Sequence, residues 1–98
     1  MNMRESTFEG EQIRAEDIVD QLVNIVKVKV DKDDRGDWAD YQVEHEGKRK
    51  AFITGSGPLI DSAKTILKKD VLKDGPITAT LRKTPSRSNP RQKYYQWE

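Results

Sequence analysis

A chain of 98 residues with net charge +1 has room for one domain and one modest core. Apolar residues make up 34% and charged residues 36%, so the interior must be economical and the surface heavily solvated. Without cysteine there is no disulfide and no thiolate metal site, and no run approaches the ~20 apolar residues of a membrane span.

Met1–Gln12 shows no periodicity and lacks the apolar stretch of a signal peptide. Residues 1–14 are expected to form a flexible arm, with Phe8 docking on the body, ahead of one domain over 15–98. A cytoplasmic protein, in the host cell if viral, is the expectation. Ala15–Leu22 allows one or two helical turns with Ile18, Val19 and Leu22 on one side. From Val23 the pattern changes to period two, with Val26, Val28 and Val30 alternating with Lys27 and Lys29. That first strand ends in the polar turn Asp31–Asp37, and Trp38–Glu46 alternates again, Ala39, Tyr41 and Val43 against Asp40, Gln42 and Glu44. Glu46-Gly47-Lys48 makes a tight hairpin into the third strand, Lys48–Thr54. There Ala51 and Ile53 share one face and Phe52 takes the other, which reads as an outward Phe covered by a neighbour or a ligand.

The run Gly55-Ser56-Gly57-Pro58 then turns the chain into an amphipathic helix, Pro58–Leu67. Ser56 or Gly57 suits its cap and Pro58 its first turn, while Leu59, Ile60, Ala63, Ile66 and Leu67 form the buried stripe. Asp74-Gly75-Pro76 leads into a fourth strand, with Ile77, Ala79 and Leu81 facing in and Thr78, Thr80 and Arg82 facing out. Thr84–Gln92 is a loop with two prolines, two arginines and no acid, and Lys93–Trp97 has the composition of a fifth strand. Three strands, a helix and two strands at hairpin spacing make the skeleton of an OB-fold, a mainly β, five-stranded antiparallel barrel with one α-helix between strands three and four.

Several kinds of chemistry are poorly supported. Asp31-x-Asp33 with Gly36 resembles a calcium loop, but Arg35 and Gln42 stand where carboxylates are wanted. Gly55-x-Gly57 is half a dinucleotide fingerprint, with Ile60 in place of its third glycine. His45 is the only histidine, flanked by Glu44 and Glu46, and has no nucleophile or metal partner to work with. Neither an enzyme nor a cofactor is expected.

The chain resembles small OB-fold single-stranded-DNA-binding proteins of the phage and archaeal kind. The likeness spans roughly Ala15–Trp97 and rests on Glu16-Asp17-Ile18, Phe52-Ile53-Thr54-Gly55-Ser56, Gly75-Pro76-Ile77-Thr78-Ala79-Thr80 and Lys93-Tyr94-Tyr95. It implies binding of unpaired DNA with little base preference, in replication or recombination. Such binding needs flat rings for stacking and cations along the backbone. On strand parity Trp38, Phe52 and Tyr94 point outward as the expected platform, whereas Tyr41, Tyr95 and Trp97 point in. The expected cations are Lys27, Lys29, Arg49, Lys50, Arg82, Arg87, Arg91 and Lys93. Stacking platforms accept RNA as well as DNA. The acidic turn Asp31–Asp37 departs from a strong binder, because it repels phosphates.

Charge is unevenly spread: residues 1–46 carry 6 Lys/Arg and 13 Asp/Glu, residues 47–98 carry 12 and 4. That asymmetry points to a polyanion, to halves that neutralise each other inside the fold, or to head-to-tail pairing. The alternative reading is accordingly an OB-fold protein-interaction module or a homodimer that binds no nucleic acid.

Overall fold

In the computed structural model, which describes residues 6–85 and 93–98, the chain is mainly β. Strands β1 (Glu11–Gln12), β2 (Leu22–Asp33), β3 (Gly36–His45) and β4 (Lys48–Thr54) precede helix α1 (Gly57–Lys69). Strands β5 (Ile77–Pro85) and β6 (Lys93–Trp97) follow it. They form one mixed sheet in the order β1-β4-β3-β2-β5-β6, antiparallel except for β1 against β4. The five strands and the helix expected from the sequence are present in the expected sequence order. The closed barrel is not completed, because no ladder joins β6 to β4 among the described residues. A side chain spans that gap instead. The Ser56 hydroxyl donates to the Tyr95 carbonyl at 2.9 Å and accepts from the Tyr95 amide at 3.2 Å.

Local chemistry accounts for most of these elements. β-branched and aromatic residues fill the strands. The β3–β4 hairpin turns on Glu46 and Gly47, both at positive φ (54° and 76°), the geometry of a two-residue primed turn. Pro58 sits in the first turn of α1, and Asp70 closes the helix in the left-handed region. Ser56 occupies the N-cap position without capping, since its hydroxyl is engaged with Tyr95.

One bulge sets the parity of the longest strand. Between Ile25 and Lys27 the register of β2 on β3 slips by one residue. Val23 and Ile25 therefore face the core before the slip, and Val28 and Val30 after it. Val26 is the extra residue and leaves the line Val26-Val28-Val30 expected from the sequence. Lys27 and Lys29 stay outside, as expected.

The third strand reverses the sequence reading. Phe52 is 1% exposed and belongs to the core, opposite Tyr41 in the register, with the two rings stacked at 5.4 Å. Trp97 meets the Tyr41 ring edge-on at 5.4 Å, and the Tyr41 hydroxyl donates to the Leu59 carbonyl of α1. Ala51 and Ile53 take the outer side of β4, where Ala51 is fully buried under the N-terminal segment. On α1, Leu59, Ile60 and Ala63 are buried and Ile66 packs against them, but Leu67 is 48% exposed and leaves the expected stripe. Among the described residues no helix is long and apolar enough to cross a membrane.

Two stability measurements test this core. Phe52→Ala should lower the unfolding free energy by about 3–5 kcal/mol in urea titration, as large-to-small changes in packed cores do. Burial also pushes the Tyr41 hydroxyl from 10.0 up to about 12, so the folded chain holds this proton more tightly than the unfolded one. Its contribution to stability is complete below pH 10 and is lost as pH rises toward 12, by up to about 3 kcal/mol. Tyr41→Phe should flatten most of that alkaline decline.

Candidate nucleic-acid interface

The bulge in β2 and the hairpin that follows bring three of the expected site residues onto one outer face. Lys27 stands opposite Gln42, Lys29 opposite Asp40, and Asp31 opposite Trp38. Both lysines are exposed, and neither makes an ion pair among the described residues. The Lys29 ammonium lies 5.9 Å from the centre of the half-buried Trp38 ring.

The remaining cations are engaged or lie elsewhere. Arg49 borders the same face and reaches Glu44 at 3.3 Å and Gln42 at 3.5 Å. Lys50 shares the Phe52 side of β4 and sits 3.1 Å from His45 Nδ1. Arg82, on the outer side of β5, is clamped by Asp20 at 2.8 Å and Glu98 at 2.5 Å, which push its pKa up. Its neighbour Lys83 is likewise pushed up by Glu16 at 2.8 Å. The same Glu16 carboxylate accepts from the Tyr95 hydroxyl at 2.5 Å and raises that pKa too. Exposed pairs of this kind are worth little and open readily. Tyr94 is half-buried and pairs with Thr84, on the opposite parity to the core-packed Tyr95. Arg87 and Arg91 lie outside the described residues, and Lys93 opens β6 opposite Pro85.

The intended platform of Trp38, Phe52 and Tyr94 is therefore not assembled. Phe52 is sealed in the core, which leaves Trp38 and Tyr94 outside. The Ser56–Tyr95 contact carries the start of β6 to the end of β4, and Thr54 at that end pairs with Ala39, next to Trp38. Trp38 and Tyr94 thus belong to the same end of the sheet with β4 between them. A cleft of about 730 Å³ lies beside that end, lined by Ile13, Glu16, Asp17, Ile53, Gly55 and Tyr95 among others. Its carboxylates disfavour a phosphate there.

Sequence reasoning missed what covers β3. Asp40 and Gln42 point outward by parity yet are almost completely buried, because residues 6–12 cross above them. The Asp40 carboxylate accepts from the Ser6 hydroxyl, from the Thr7 amide at 2.9 Å and from the Thr7 hydroxyl at 3.0 Å. The Gln42 side-chain amide donates to the Glu9 carbonyl at 2.8 Å, and the Ile13 amide donates to the Ala51 carbonyl at 2.9 Å. Of the expected arm, residues 1–5 lie outside the described residues, and residues 6–12 form this strap. The buried polar atoms of Asp40 and Gln42 thus find their partners in the strap. No local pattern announces the contact, since its partners are more than thirty residues apart.

The acidic turn is partly occupied with itself. Asp31 and Asp33 accept from the backbone amides of Lys32 and Arg35, and Asp37 reaches Lys64 at 3.5 Å. It still places a carboxylate opposite Trp38, so a bound polyanion would favour the Lys27 end of the row.

The chain matches no family model, no curated protein and no solved structure. The residues and their arrangement carry the functional argument.

Gly10 tests how the strap is held. Its φ is +127°, and a Cβ there would meet the Arg49 carbonyl oxygen at 2.8 Å. Gly10→Ala should speed hydrogen exchange at the Thr7 and Ile13 amides about tenfold or more, while the Tyr41 and Val43 amides keep their protection.

Proposed function

We propose that this chain is an OB-fold domain that binds single-stranded nucleic acid with little base preference. The order β4-β3-β2-β5-β6, the helix between β4 and β5, and the contact between the end of β4 and β6 support the fold assignment. The observation that carries the functional reading is the trio Lys27, Lys29 and Trp38: two exposed cations that make no ion pair among the described residues, beside a ring on one face.

The chemistry of such a site is simple. Each lysine neutralises a phosphate and releases counterions, and the indole stacks on a base for about 1–3 kcal/mol. Neither contact reads a base edge, so little sequence preference follows. Tyr94 would extend the track, whereas Arg87 and Arg91 lie outside the described residues. Arg82 and Arg49 would join it by exchanging weak surface ion pairs for phosphates. A protein of this kind protects or organises unpaired DNA in the cytoplasm during replication or recombination, as the family resemblance implies. A second reading, docking of a protein partner or another copy, draws on the exposure of Leu22 (65%) and Leu67. Isolated apolar side chains are common on surfaces, so it ranks below the first.

Titration with a labelled oligo-dT at two salt concentrations tests the reading. The double variant Lys27→Ala/Lys29→Ala should bind about tenfold more weakly at low salt. Its log–log salt dependence should be shallower by about 1.4, the share of two phosphate contacts on a single strand. Binding should quench Trp38 fluorescence, measured in a Trp97→Phe background. No binding at low salt, to either oligo-dT or oligo-U, would overturn the proposal.

A further inference from the structure

We infer that residues 6–12 are a built-in competitor for the polynucleotide, an inference that rests on the reading of the Lys27–Lys29–Trp38 face given above. Gln42 and Asp40 stand directly opposite Lys27 and Lys29, and the strap lies on Gln42 and Asp40. Neighbouring strands are about 4.8 Å apart. A polynucleotide is wider than that, so a strand laid along the two lysines meets the strap. Full engagement of the face requires the strap to lift.

The strap is suited to this by its chemistry as well as its place. It offers two exposed carboxylates, Glu9 and Glu11, and one half-buried ring, Phe8. Acid and ring are also the two parts of a nucleotide that such a face recognises. Lifting the strap takes Glu9 and Glu11 away and leaves Asp40, opposite Lys29, and Asp31, opposite Trp38, as the carboxylates of that row. The attachment is also limited. Among the described residues it consists of the hydrogen bonds to Asp40, one from Gln42, the Ile13–Ala51 bond and a two-residue ladder between β1 and β4. Most of its residues, Thr7 and Glu9 to Gln12, are exposed. A segment held this way opens locally without unfolding the sheet. Apparent affinity then equals the intrinsic affinity scaled by the open fraction.

The full-length chain and two charge-neutral variants, Ser6→Ala/Thr7→Val and Gly10→Ala, separate the alternatives. Their affinities for oligo-dT are measured at one salt concentration, and amide exchange of the unmodified chain is followed with and without the oligonucleotide. Each variant should bind about fivefold more tightly than the unmodified chain, since the opening equilibrium shifts by at least one hydrogen bond. Oligo-dT should accelerate exchange at Thr7 and Ile13 in the unmodified chain. Unchanged or weaker affinity in both variants, or undiminished protection of those amides in the complex, overturns the competitor while leaving nucleic-acid binding intact. If neither the unmodified chain nor the variants bind at low salt, both readings fall.

Discussion

The stack of Tyr41 on Phe52, closed at its edge by Trp97, is the contact on which the remaining structure depends. It joins β3, β4 and β6, and the Tyr41 hydroxyl adds α1 through the Leu59 carbonyl. A chain with 34% apolar residues has few large side chains for its interior. Three rings placed together supply apolar area that the small alanines at 39, 51, 63 and 79 cannot. This arrangement also limits function. Each ring committed to the core is one fewer for a stacking platform, and Phe52 is the ring so committed.

That commitment explains where sequence reading succeeded and where it stopped. Period two identified the strands, and the Glu46-Gly47 hairpin and the Gly55–Pro58 turn were legible because their chemistry is local. Inward Tyr41, Tyr95 and Trp97, and outward Lys27 and Lys29, followed from the same alternation. Phe52 failed because alternation separates two faces without saying which one is the core. Two apolar neighbours, Ala51 and Ile53, outvoted one Phe, although both sides of β4 are covered. The bulge at Val26 was hidden for a related reason: a run of valines and lysines keeps its look when one residue is inserted.

The strap was illegible for a different reason. Ser6, Thr7 and Glu9 have no periodicity, and their partners Asp40 and Gln42 look like ordinary solvated positions of an alternating strand. Only the fold brings the two stretches together. Both Asp40 oxygens find donors in Ser6 and Thr7, so its burial is satisfied by residues far away in sequence and leaves no trace in composition.

Electrostatics then selects among the basic residues more sharply than their number does. The acidic first half and basic second half meet inside the fold: Asp20 holds Arg82, Glu16 holds Lys83, and Asp37 reaches Lys64. Each pair joins an acid from before residue 47 to a base from after it. The asymmetry is thus partly neutralised within one chain, which weakens the case for head-to-tail pairing of copies. It also leaves unpaired positive charge in the acidic half of the sequence. Lys27 and Lys29 come from the acidic half, yet on the outer face of β2 they make no ion pair among the described residues, while several bases of the positive half are occupied. An anion approaching this face meets lysines supplied by the half of the chain whose net charge is negative.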